Sequence, residues 1–168
     1  MTEIDALDAR ILLALDDEPD AALLALAKRL GVSRNTIHAR LRRMEEAGLF
    51  LGFSQRVSLP TLGHPLTAFI SLRIDQSLGT SAEGALGDIP EVIEVHATTG
   101  DADLLVTVAA RGADDLFRIT NAVVRIPGVE RSSTAVSLSQ PLPRRTRPLI
   151  ERLAGSQGSR GSRGSQGR

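Results

Sequence analysis

The spacing of apolar residues changes once along this 168-residue chain, and the change divides it. Up to about Gly48 apolar residues recur every three or four positions, the period of an α-helix. From Pro65 onward they alternate or run together as in strands, with helical stretches between them. The chain is long enough for two small domains, and the switch of period predicts an α+β protein built from two.

In the first part, Ile4, Leu7, Ile11, Leu12 and Leu15 mark one helix, which DDEPD at Asp16 to Asp20 ends. Leu23, Leu26, Ala27 and Leu30 mark a second, closed by Gly31. Ser33 is a suitable N-cap for a third, because its hydroxyl accepts from a free backbone N–H; Gly48 is its natural stop after Ala47. The stretch Leu49 to Gly63, punctuated by Pro60 and Gly63, reads as a strand and linker between domains. Strands are then predicted over Pro65–Ile74, Val92–Thr99 and Leu104–Ala110, the last buried on both faces. Helices are predicted over Ser81–Ile89 and Asp114–Ile126, and a final turn and strand over Pro127–Ser139. The order β-α-β-β-α-β is the ferredoxin-like pattern. The expected division is a helix-turn-helix domain at 1–51, a linker at 52–64, a ferredoxin-like domain at 65–141 and a basic low-complexity tail at 142–168. The last fourteen residues contain only Gly, Ser, Gln and Arg and are expected to be disordered.

Charge is distributed unevenly. The chain is neutral, with 20 Lys and Arg against 20 Asp and Glu, yet Lys28 to Arg43 holds six cations and no acid. A local basic patch on a balanced chain points to a local polyanion site. Two helices joined by a Gly turn form a helix-turn-helix signal. Rotating the third helix by about 100° per residue brings Leu41 and Met44 within roughly 40° of Ile37, which makes these three its inward anchors. Asn35, His38, Ala39, Arg42 and Arg43 fall on the far half, with Arg34 at the N-terminal rim. Such a face suits the major groove, where Arg reads guanine and Asn reads adenine. Arg34, Asn35 and His38 are the expected base readers; Lys28, Arg42 and Arg43 the expected phosphate ligands; Ser33 and Thr36 complete the site. The competing reading is an ordinary solvated helix face.

Composition narrows the remaining classes. Four Phe and no Tyr or Trp leave no aromatic platform for single-stranded nucleic acid. Without cysteine there is no disulfide or thiolate metal site. MTEIDALDAR lacks the basic start and apolar run of a signal peptide, and no apolar stretch is long enough to span a bilayer, so a cytoplasmic protein without a membrane partner is expected. His38, His64 and His96 lie far apart in sequence, and no P-loop, Rossmann glycine or G-x-S-x-G pattern occurs. The expectation is a non-enzyme with no metal and no cofactor.

The segments LDARILLAL and LAKRLGVSRNTIHARLRRMEEAGLFLGF, followed by LGHPLTAFISL and TTGDADLLVTV, resemble the Lrp/AsnC (feast/famine) family of transcription regulators from Leu7 to about Ser139. The resemblance implies a winged helix-turn-helix reader of double-stranded DNA. It also implies a C-terminal domain that dimerises through its sheet, assembles into octamers and binds an amino-acid effector. The effector loop would be Thr99, Gly100, Asp101, Ala102 and Asp103, where Asp101 or Asp103 would pair the ligand's ammonium. The alternative for GDAD is a plain hairpin turn. Family members often carry an aromatic residue where this chain has Ala102, which bears on ligand and assembly. The dimer contact is expected to be aliphatic, with Leu104, Val106 and Val108 among its candidates, although alternate strand residues face opposite sides and only one set can serve. A rival with the same DNA partner is a chromatin-like architectural protein of low sequence preference, for which the basic tail would add phosphate attraction.

Overall fold

The computed structural model describes residues 4–75, 77 and 79–156. The chain separates into two compact units. One comprises Met1–Gly52 with Leu142–Arg168, and the other Phe53–Pro141.

The first unit contains α1 (Ala6–Asp17), α2 (Leu23–Leu30) and α3 (Arg34–Glu46). Asp5 caps α1 by accepting from the Leu7 and Asp8 N–H groups, and Asp8 answers by accepting from the Asp5 N–H, a complete capping box. Ile11, Ala14, Leu26, Ala27, Ile37 and Met44 form the core among the three helices. Each large aliphatic side chain buried there contributes about 1.5–3 kcal/mol.

A fourth helix, α6 (Arg147–Gly155), belongs to the same unit and packs on α1. This corrects the reading of 142–168 as a low-complexity tail. Pro148 stands in the first turn, where its missing N–H is harmless. Arg147 Nη1 donates to Asp16 at 2.7 Å and to Asp17 at 2.9 Å, and its Nε donates to Glu151 at 2.9 Å. A segment that lacks a core of its own is thus held by the acids that end α1. The disorder expected of the last fourteen residues falls mainly on 157–168, outside the described residues.

In the second unit, β1 (Leu66–Ile74), β2 (Val92–Ala97), β3 (Leu104–Ala110) and β4 (Val129–Val136) form one antiparallel sheet in the order β2-β3-β1-β4. Helices α4 (Gly79–Gly87) and α5 (Ala113–Val124) complete the β-α-β-β-α-β order and contribute to the core on one face. Alternation decides which side chains that core receives. Ala68, Ile70 and Leu72 of β1 enter it with Leu104, Val106, Val108 and Ala110 of β3, Leu86 of α4 and Ile119 and Val123 of α5. Leu104, Val106 and Val108 are therefore committed to the domain's own core, which corrects their candidacy for a dimer contact. The opposite face carries Phe69, Leu105, Thr107 and Ala135, with Phe69 and Ala135 exposed.

The segment Leu49 to Gly63 does not become a strand. Phe53–Arg56 forms a single 3-10 turn, and Leu62, Gly63 and His64 donate back to Ser58, Pro60 and Leu59. The segment pairs with no strand among the described residues, and without a ladder its β-compatible residues settle into local turns.

Candidate nucleic-acid interface and effector loop

The turn between α2 and α3 is set by Gly31, whose φ of 69° lies in the left-handed region that a side chain resists. Ser33 then caps α3. Its Oγ accepts from the Thr36 N–H at 3.0 Å and lies 2.8 Å from the Thr36 hydroxyl. Ser33 and Thr36 thereby satisfy each other and start the helix. Ile37 and Met44 are fully buried and Leu41 is half-buried, so the inward side of α3 is the one its periodicity demands. Arg34, Asn35, His38, Ala39 and Arg42 are exposed together on the outer side, and Lys28 is exposed on α2. Arg34 and Lys28 make no ion pair among the described residues, while Arg42 Nε donates to Glu46 at 2.8 Å along the exposed helix.

Arg43 has a different environment from the one the sequence suggests. Asp8 is completely buried, and its carboxylate accepts from Arg43 Nη2 and from Arg40 Nη1, the latter at 2.9 Å. Arg40 Nη1 also donates to Asp5 at 2.6 Å. A buried carboxylate must be paired and hydrogen-bonded, and here two guanidiniums and a backbone N–H do this. Arg43, assigned above to phosphates, is instead engaged with α1. The Arg40 guanidinium beside Asp5 holds that carboxyl below its usual range. Arg40 and Asp8 are the residues that the sequence reading missed. The signal was available: Asp8 lies between Ile4 and Ile11 on the apolar stripe of α1, and Arg40 lies between Ile37 and Met44 on the inward side of α3.

In the second unit the five loop residues Thr99 to Asp103 connect β2 to β3. Thr98, just before them, closes the loop: its N–H donates to the Asp103 carbonyl at 2.9 Å and its Oγ1 to the Ala102 carbonyl at 2.7 Å. Gly100 has φ 113°, the left-handed conformation this turn requires. Asp103 is anchored at both ends, its N–H donating to the Leu72 carbonyl at 2.8 Å and its Oδ2 accepting from the Ile74 N–H at 2.9 Å. It latches the loop to β1 through one carboxylate oxygen. Asp101 is exposed, and its carboxylate has no hydrogen-bond or ion-pair partner among the described residues. With Ala102 it lines a cavity of about 320 Å³ beside β1 and β4.

The histidines do not gather. His38 is exposed on α3, His64 Nδ1 lies 3.2 Å from the Leu62 carbonyl, and His96 Nε2 lies 3.4 Å from Glu94. Among the described residues no group of three or more His, Asp or Glu is placed to hold a metal ion, and no helix is long and apolar enough to cross a membrane.

Comparison with known proteins places both units. Residues 4–50 match the winged helix-turn-helix DNA-binding family model, and residues 67–147 match the Lrp/AsnC ligand binding domain. The chain is 30% identical to the HTH-type transcriptional regulator FL11 of Pyrococcus horikoshii, over 80% of this chain and 89% of that protein. It is 33% identical to the regulatory protein AsnC of Escherichia coli, and the solved structure of that protein superposes with a TM-score of 0.80 over 88% of this chain and all of that one. A feast or famine regulatory protein from M. tuberculosis, solved in complex with L-methionine, is 26% identical and superposes with a TM-score of 0.75, over 86% of this chain and 98% of that one.

Proposed function

Because the chain belongs to the Lrp/AsnC family of transcriptional regulators, we propose that α3 reads the major groove of an operator and that an amino acid bound in the second unit modulates this reading. The carrying observation is the outer face of α3. Arg34, Asn35 and His38 stand exposed together on a helix whose opposite side is fixed by Ile37 and Met44. In this reading Arg34, Asn35 and His38 reach base edges from the N-terminal half of the helix, Lys28 and Arg42 hold phosphates, and Ser33 and Thr36 present the helix start to the backbone. Arg43 acts indirectly by fixing α3 to α1.

An amino-acid effector is supported by the L-methionine complex of the M. tuberculosis relative and by the free carboxylate of Asp101 in a loop whose shape Thr98 and Asp103 maintain. Self-association through the uncovered sheet face is supported by Phe69 and Leu105, apolar side chains that the domain's own core does not use. The reading requires no catalytic step, metal or cofactor and places the protein with DNA in the cytoplasm.

Selection of duplexes from a random pool by the full chain tests the proposal. Enrichment of a defined motif in two half-sites is expected, because a symmetric dimer presents two α3 helices. A pool that stays random at physiological salt would contradict base reading and favour an architectural role.

A further inference from the structure

The cavity beside the loop has a second feature that the loop alone does not explain. Its floor is the end of the β1–β4 ladder, where Ser71 pairs with Ser133 and Arg73 pairs directly with Arg131. Like charges directly opposite on a sheet repel. Both arginines are exposed, and neither forms an ion pair or side-chain hydrogen bond among the described residues. On the other side stands Asp101, which likewise has no partner among the described residues. Among the residues that line the cavity two guanidiniums face one carboxylate, and the neighbouring Asp103 carboxylate is engaged with the Ile74 N–H. The matching ligand carries one ammonium, two anionic groups and a net charge of −1.

We propose that this cavity is a receptor for an aminodicarboxylic acid. Arg73 and Arg131 hold the ligand's two carboxylates, Asp101 pairs its ammonium, and Ser71 and Ser133 donate from the floor. The inference rests on the effector reading above and deepens it by naming the class of effector. Guanidinium forks match carboxylates with paired N–H donors, so each arginine supplies geometry as well as charge. A carboxylate bridging the pair also offsets the repulsion between the two guanidiniums. The cavity volume of about 320 Å³ lies at the lower end of the range for small-molecule sites and accommodates a single free amino acid. Ala102 matters as well, because its small side chain leaves the approach to both arginines open.

Isothermal titration of the full chain with L-glutamate, L-aspartate, their amides, L-leucine, L-methionine and succinate decides the matter. The expected result is that at least one acidic amino acid binds tenfold or more tightly than its own amide, and tenfold or more tightly than succinate. Arg131→Gln and Arg73→Gln should each erase the preference for acid over amide, and Asp101→Asn should erase the preference over succinate. Because both arginines are exposed and unpaired among the described residues, ligand-free Arg131→Gln should melt at or above the temperature of the parent protein, so lost binding cannot be ascribed to lost folding. Equal affinity for acid and amide, or an acid preference that survives both arginine changes, overturns the dicarboxylate receptor and leaves the amino-acid effector standing. If leucine or methionine binds and neither acid does, the receptor fails in the same way. If none of these compounds binds, the effector reading and this inference fall together.

Discussion

Two places in this molecule bring two arginines together, and they do so with opposite consequences. On α3, Arg40 and Arg43 converge on Asp8, which is completely buried. On the sheet, Arg73 and Arg131 face each other across β1 and β4 with no acid in contact among the described residues. The first pair is spent on structure: its charge is matched inside the chain and its geometry fixes a helix. The second pair is left in surplus, and a surplus charge is what a ligand can satisfy. The number of arginines therefore says little about where this protein binds anything. What matters is whether the chain already supplies the counter-charge.

The largest expected effect comes from breaking the first pair. Asp8→Ala leaves two guanidiniums without their shared partner and opens the capping box of α1. Both arginines keep access to water, so the loss should be about 2–3 kcal/mol, below that of a fully buried pair. Chemical denaturation of the first unit measures it, and a loss under 0.5 kcal/mol, on the order of a surface substitution, would show that Asp8 does not hold α3. Next comes the exposed face. Asn35→Ala should weaken binding by about 1–3 kcal/mol at particular base pairs and leave the melting temperature unchanged. Equal weakening on all duplexes would take Asn35 out of the reading set.

A finer division separates neighbouring residues. Arg42→Ala should lower the slope of binding against salt by about one without affecting stability. Arg43→Ala should do the reverse, lowering stability by about 1 kcal/mol and leaving the slope intact. If the two variants exchange these signatures, the assignment of Arg43 to Asp8 is wrong. The smallest effect is on pH dependence. Arg40 holds the Asp5 carboxyl below its usual range, and Arg29 followed by Arg147 does the same to Asp17. A group depressed in the folded state contributes stability that is complete above its unfolded value and is lost as pH falls through the folded one. The first unit should therefore melt at a constant temperature from neutral pH to about pH 5 and lose stability only below the ordinary carboxylate range. A decline between pH 7 and 5 would point to a histidine instead.

Local features of this fold were legible in the sequence, and long-range ones were not. The inward triad Ile37, Leu41 and Met44, the cap at Ser33 and the turn at Gly31 each depend on residues within one or two helical turns, and spacing alone located them. Strand Leu104–Ala110 was equally clear from its apolar run. Asp103 was ambiguous because its decisive partner, the Ile74 N–H, lies 29 residues away. The same holds for Asp8, whose guanidinium partners lie 32 and 35 residues along the chain. Leu104, Val106 and Val108 were correctly placed on a strand, but only the helices packed on them show which face they take. The α6 segment was masked by its Gly- and Arg-rich continuation, although Pro148 and the Arg147–Glu151 spacing are helix signals in their own right. For the site, the exposed face of α3 that we propose reads DNA was visible in advance. The Arg73–Arg131 pair became visible only when the ladder brought β1 beside β4.

The central claim is that a ligand in the second unit changes how the first unit reads DNA. The most direct measurement is the affinity of the full chain for its own upstream region and for a scrambled duplex of equal length, at fixed salt, with and without amino acids. Markedly tighter binding to the upstream region is expected, with a shift in that affinity when an amino acid is added. Equal affinity for both duplexes, unmoved by any amino acid, would contradict the claim.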